Sequence, residues 1–360
     1  MIYDSIIVGG GVAGLMSAYF LQKEGMSVLV LERDEVCKGG SYAAGAFLTP
    51  KIGKFSPYKE YVNRSLEFSI DFYEQNFKEM LNRCGVYKLP YDEKDKERFK
   101  EYEKFMDIDY RKLKEGFFFP NAAVIDPKDI CSVLKQILNV KREEVKDIKR
   151  MGDIFHISSL KTKRVVFATA STSLPYPVSY LRAKKICGYR YDVRFRNCES
   201  LKNIFHKRVS ISPFMKNRVA IGATHIKSKF CMNLENDAKS DRYDLLKKAK
   251  EIMPLEDVEV LKIYKGERLS SLDYFPIVGE LINEVETLKR YPYLRKGTKV
   301  PFDDFIYYKD LFIHTALGAR GFVFAPYNAK LLKDLIVYDK KLPYSLMPVR
   351  HFIKSIRNPL

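Results

Sequence analysis

Apolar positions along this chain follow two rhythms. Tyr3 to Val8 is a short β-branched run, Gly9 to Gly14 a glycine-rich turn, Val12 to Glu24 repeats at helical spacing, and Ser27 to Leu31 is a second apolar run. That order predicts a β-α-β unit. Asp92 to Lys114 is charged and helical in composition, which predicts an exposed excursion. In Asp126-Pro127-Lys128-Asp129 an N-cap precedes a proline at the first helical position and an acid in the first turn, so a helix opens there and runs to about Leu138. Arg164 to Ala168 predicts a buried strand. From Gly188 to Thr224 short strands without long helices, such as Tyr189 to Phe195 and Val219 to Ala223, predict an antiparallel sheet. A helix from about Asp241 to Met253 and a strand near Val258 to Tyr264 follow. A hairpin-like pair around Lys309-Asp310 then leads to a second glycine-rich turn, Gly318-Ala319-Arg320-Gly321, which opens a helix through about Val337.

These elements predict an α/β protein. At 360 residues with 46% hydrophobic content, two interleaved domains are expected. Residues 1–75, 120–175 and 265–360 are read as a Rossmann-type nucleotide-binding domain, and 76–119 and 176–264 as an antiparallel-sheet substrate domain. No apolar run reaches the length of a membrane span, and no targeting peptide is evident, so a soluble, cytoplasmic protein without a membrane partner is expected. Cysteines at 37, 84, 131, 187, 198 and 231 include no Cys-x-x-Cys pair. They are read as buried thiols, with no metal site and no disulfide framework. Lys and Arg number 63 against 45 acids, a net +18, which favours an anionic partner or serves solubility alone.

The first chemical motif is Gly9-x-Gly11-x-x-Gly14, with Glu32 ending the next strand. The first glycine permits the tight turn, the second lets a pyrophosphate approach the backbone, and the third lets helix and strand pack closely. The helix N-terminus attracts the phosphate charge, and Glu32 accepts ribose hydroxyls. NAD and FAD both suit this motif.

With the second turn, Gly318 to Phe322, the sequence resembles the D-amino-acid-oxidase-like flavoproteins, and among them most closely the oxidase domain of bifunctional tRNA-modifying enzymes. The resemblance is carried by Gly45-Ala46-Phe47-Leu48-Thr49-Pro50, Phe119-Pro120-Asn121-Ala122, Ile221-Gly222-Ala223-Thr224, Gly266-Glu267-Arg268, Asp273 to Gly279, Phe302-Asp303-Asp304-Phe305 and Leu317 to Gly321. Ala168-Thr169-Ala170 departs from it, since many relatives have glycine after the threonine. The resemblance implies noncovalent FAD, held by Gly9, Gly11, Gly14, Glu32, Arg33, Gly45, Ala168, Thr169, Gly318, Ala319, Gly321 and Phe322.

It further implies FAD-dependent oxidation of the carboxymethyl-amine C–N bond of 5-carboxymethylaminomethyl-(2-thio)uridine at the tRNA wobble position, giving 5-aminomethyl-uridine and glyoxylate. Molecular oxygen is the family's usual electron acceptor, and the family's bifunctional members carry a methyltransferase domain before the flavin domain with which this chain starts, so a separate methyltransferase is a candidate partner. A planar guanidinium suits the substrate carboxylate, which singles out Arg268 and Arg320 as catalytic-site residues. The basic stretch Arg182 to Arg208 and the tail residues Lys340, Lys341, Arg350, Lys354 and Arg357 are candidate contacts to the tRNA anticodon loop, although Val349 to Ile356 also reads as a capping helix. Two other functions fit the same residues: a free small-amine or amino-acid oxidase, and a flavin-containing RNA-binding protein without turnover.

Overall fold

The computed structural model describes residues 1–223, 226–227 and 245–357. In chain order the elements that build the site begin with β1 (Ser5–Val8), α1 (Val12–Lys23), β2 (Val28–Glu32), β3 (Phe47–Leu48), α2 (Pro57–Asn76) and β4 (Val86–Lys88). Next come α3 (Glu93–Glu103), β5 (Phe117–Phe119), α4 (Pro127–Ile137), β6 (Val140–Arg142), β7 (Val165–Phe167) and β8 (Ala183–Arg194). The last are β9 (Ile204–His206), β10 (Ser210–Ile211), β11 (Val219–Gly222), β12 (Glu259–Ser271), β13 (Ile277–Ile282), β14 (Tyr307–Thr315), α5 (Gly321–Tyr338) and α6 (Val349–Arg357).

A six-stranded sheet runs β6-β2-β1-β7-β14-β13, parallel except where β13 meets β14. Because strand side chains alternate between faces, its apolar strands feed two cores. Ile7, Val30, Val166 and Phe312 pack with α1, α2, α4 and α5 on one face. Ile6, Leu29, Val165, Phe167, Leu311 and Ile313 pack on the other, against Phe155, Tyr180 and Phe352 of α6. A nine-stranded sheet includes the consecutive strands β8-β11-β10-β9-β4-β5, with β12 paired to β8 along its length. Its strands come from segments that alternate along the chain with those of the first sheet.

Several local expectations agree with this architecture. Asp126 caps α4 by accepting a hydrogen bond from the Lys128 N–H at 2.9 Å, and Pro127 opens that helix. The turn at Gly318 to Arg320 leads directly into α5. Others need correction. The Asp92 to Lys114 stretch is helical only over α3, and Arg111–Lys112 pairs as a strand with β5. The strand expected from Tyr189 already begins at Ala183. No hairpin turns at Lys309-Asp310, which lie inside β14: Asp310 has φ +64° opposite a register shift in β13, so a bulge produced the turn-like signal.

The thiol reading also fails. Cys37 lies on the loop after β2, where its N–H donates to the Gly10 carbonyl at 2.9 Å, and Cys131 lies on the buried side of α4. Folding brings their Cα atoms to 6.3 Å, within disulfide reach, and they are bonded. Cys187 is disulfide-bonded as well, while Cys84 and Cys198 are buried thiols. Cysteine usage therefore no longer argues for a reducing compartment. Thr224, Cys231 and the first residues of the helix expected from Asp241 lie outside the described residues. Among the described residues no helix is long and apolar enough to cross a membrane.

Candidate functional site

The two glycine-rich turns converge. A Cβ on Gly321, the first residue of α5, would stand 3.5 Å from Val12 Cγ1, at the first residue of α1. Neither helix is capped by the side chain of its own N-cap residue, so apart from the Val12 N–H both present first-turn N–H groups towards the same region. Each turn depends on missing side chains. Gly9 holds φ +113°, and a Cβ there would press on the Ala168 carbonyl; a Cβ on Gly14 would collide with the Gly9 carbonyl. Gly318 holds φ +57° beside Ser270. Gly45 fits only because a Cβ would strike the Phe47 ring.

Around this cradle, Glu32 is pinned at the end of β2, accepting from the Gly10 N–H at 2.6 Å and the Asp34 N–H at 3.0 Å. Gly11 faces Ser41, whose hydroxyl accepts from the Val12 N–H at 3.0 Å. Ala168 is buried, and Thr169 beside it has a buried hydroxyl without a hydrogen-bond partner, although its carbonyl accepts from Thr315. An orphaned donor, uncapped helix ends and a backbone cradle fit a bound dinucleotide. Phe322 is buried and its carbonyl accepts from Tyr73 at 3.1 Å, while Ala319 is exposed. Arg33 is the outlier of the expected set: its side chain is 71% exposed and pairs with Asp34 at 3.5 Å.

The two expected arginines lie on different elements. Arg268 sits on β12 opposite Ile186 of β8 and is largely buried, which lowers its pKa. Its strand is held close to the nucleotide loop, because a Cβ on Gly266 would stand 2.6 Å from Ala43 Cβ and 3.0 Å from Gly40 Cα. Arg320 ends the second turn and donates to the Thr49 carbonyl at 2.8 Å. Burial lowers its pKa too, with nearby Tyr58 opposing.

Arg320 has cationic neighbours that the sequence reading did not single out. Lys51 follows β3, with its ammonium 5.6 Å above the Tyr58 ring. Lys88 ends β4 in register with His206 of β9, which shares a 2.9 Å hydrogen bond with Ser210. Burial pushes Lys88 down to about 7, and the charges of Arg320 and Lys51 add to the effect. Burial, Lys88 and Arg320 together push His206 down to about 3. The signal in the sequence was parity: in Val86-Tyr87-Lys88 the lysine shares the face of a fully buried valine.

Much of the basic surface is engaged. In the Arg182 to Arg208 stretch, Arg190 pairs with Asp192 at 3.1 Å in the interior, Arg196 with Glu256 and Asp257, and Arg208 with Glu251 at 3.7 Å. In the tail, Arg350 is only 3% exposed and bonds Asp273 and four backbone carbonyls. It faces the interior and leaves the tRNA-contact set. Lys341 and Lys354 reach solvent while pairing with Asp303 and Asp273, and Lys340 and Arg357 are exposed.

A glycine-lined, mostly parallel sheet that opens towards a strand bearing a largely buried arginine fits the dinucleotide-binding class of proteins. The sequence pattern of the DAO family of FAD-dependent oxidoreductases matches residues 4–335, and the chain belongs to that family. Its cofactor is FAD. The tRNA 5-methylaminomethyl-2-thiouridine biosynthesis bifunctional protein MnmC of Legionella pneumophila strain Philadelphia 1 is 25% identical across 98% of this chain and 58% of its own length. MnmC of Campylobacter concisus is 25% identical across 99% of this chain and 60% of its own length. The chain thus spans about three fifths of these relatives. Among solved structures, glycine oxidase from Bacillus cereus superposes with a TM-score of 0.76 at 21% identity, covering 94% of this chain and 96% of that one.

Proposed function

We propose that the protein oxidises the carboxymethyl-amine C–N bond of 5-carboxymethylaminomethyl-(2-thio)uridine at the wobble position of tRNA, releasing 5-aminomethyl-uridine and glyoxylate. The observation that carries this reading is the similarity to MnmC along 98% of the chain, joined to a site with largely buried guanidinium groups for a carboxylate. Bound FAD, held without a covalent bond, supplies a hydride acceptor for the substrate α-carbon. The chain supplies position: Arg268 or Arg320 fixes the carboxylate, and with it the α-carbon. Loss of hydride from the α-carbon and of the proton from the amine nitrogen leaves a substrate imine, and water divides it into the amine and glyoxylate. Oxygen takes the two electrons and leaves as hydrogen peroxide, a methyltransferase acts on the product, and a tRNA substrate puts the work in the cytoplasm.

A second reading is a free small-amine oxidase, because a buried arginine holds an amino-acid carboxylate equally well. One experiment separates the two. Hypomodified tRNA is incubated with the holoenzyme and its wobble nucleosides are analysed by mass spectrometry, beside glycine and sarcosine assays. Conversion to 5-aminomethyl-uridine with glyoxylate release supports the tRNA reading; turnover confined to the free amino acids overturns it.

A further inference from the structure

We propose that Lys88 and Lys51, together with Arg320, form the subsite that takes the substrate carboxylate, so that the chief anion anchor spans both sheets rather than resting on Arg268 alone. The three cations come from three separate places in the chain: the segment after β3, the end of β4 and the turn before α5. Arg320 donates to the Thr49 carbonyl two residues before Lys51, and Phe47 and Ile52 on either side of Lys51 pack in one cluster with Val86 of the Lys88 strand; the charge of Arg320 bears in turn on Lys51, Lys88, His206 and Tyr58. Among the described residues, none of the three cations has a carboxylate partner.

Lys88 carries most of the weight. Its side chain is 6% exposed, and its ammonium makes no hydrogen bond or ion pair among the described residues. A largely buried amine without a partner is costly to charge. Two more cations beside it raise the cost. A bound anion removes that cost at once, since it offers each cation an opposite charge within a low-dielectric setting. His206 stays neutral beside Lys88 and adds no charge of its own.

The depth of the site selects the anion. A backbone phosphate stays tethered to neighbouring nucleotides in solvent, whereas a carboxylate at the end of a slender carboxymethyl arm reaches inside. The planar fork of Arg320 suits two carboxylate oxygens, although one of its N–H groups is committed to Thr49. Because burial and the neighbouring cations hold Lys88 near neutrality, anion binding draws a proton onto Nζ from the buffer. Below pH 7 the proton is already present and the uptake disappears.

The inference depends on the proposed amine oxidation only for the identity of the anion. Acetate is titrated into the FAD-loaded protein by calorimetry at pH 8, in buffers of different ionisation enthalpy. The parent is expected to take up close to one proton per acetate. Lys88→Met is expected to weaken acetate about ten- to a hundredfold, the equivalent of one lost charge-assisted bond, and to abolish the uptake. Lys51→Met weakens acetate while leaving proton uptake in place. Lys88→Met also melts no lower than the parent, since it removes a largely buried amine that has no partner among the described residues, and this guards against simple misfolding.

Unchanged acetate binding and proton uptake in Lys88→Met overturn the subsite. A lower melting temperature overturns the premise that the ammonium lacks a partner. Inorganic phosphate binding more tightly than acetate at the same lysines overturns the carboxylate assignment. If acetate binding depends on Lys88 but no tRNA is oxidised, the tRNA reading fails and the subsite stands.

Discussion

Arg350 closes on Asp273 from the first turn of α6, its Nε 3.1 Å from the carboxylate, and so ties the C-terminal helix to the segment that follows the Arg268 strand. Burial alone would raise the Asp273 carboxyl, but hydrogen bonds and charge from Arg350 prevail and bring it down to about 2. A depressed carboxyl stabilises the fold fully above its unfolded value of about 4 and loses that contribution as pH falls towards 2. Arg350→Met is therefore expected to cost on the order of 3 kcal/mol near neutrality and to flatten acid destabilisation between about pH 4 and pH 2. Denaturant midpoints across that range test this; an unchanged midpoint at pH 7 rules it out.

The purified protein should be yellow, and acid precipitation should release FAD into the supernatant. Gly14→Ala should bind little FAD, because the added Cβ meets the Gly9 carbonyl at the foot of the turn. The ratio of flavin to protein absorbance reads both. Flavin retained on the precipitated chain contradicts noncovalent binding.

Arg268→Lys keeps the charge but loses the two-pronged geometry. Turnover on carboxymethylaminomethyl-tRNA should fall about ten- to a hundredfold while FAD content changes little. Equal kinetics in parent and variant would remove Arg268 from the substrate site.

For tRNA docking, the test set is now Lys340, Lys341, Lys354 and Arg357. Neutralising these four together should raise the Michaelis constant for tRNA and flatten its salt dependence, by about one unit of log–log slope per lost phosphate contact. Oxidation of the isolated modified nucleoside should hardly change. If the variant handles tRNA like the parent at every salt concentration, the tail is no docking surface.

What could be read in the sequence was local. Gly9, Gly11, Gly14 and the Asp126-Pro127 cap announce themselves because backbone geometry permits few residues at those places, and the signal lies within a few positions. Burial of a charge is another matter. Arg350 and Lys354 look alike in a basic tail, yet the fold turns Arg350 inward onto Asp273, 77 residues away. Lys88 looked like one more of 63 basic residues until its strand parity was set by pairing with β9. Cys37 and Cys131, separated by 94 positions, become partners only through the packing of α4 beside the nucleotide loop.

The meeting of Gly321 with Val12 also orders events during synthesis. The cradle for FAD begins at β1, yet β14, which lies against β7 in the same sheet, and the opposing helix α5 come from residues beyond 306. At roughly 5–20 residues per second, the nascent glycine turn waits on the order of tens of seconds for its other wall. Cofactor capture is thus a late event, and stalled chains ending before β14 should emerge colourless, whereas chains that extend beyond α5 should acquire flavin.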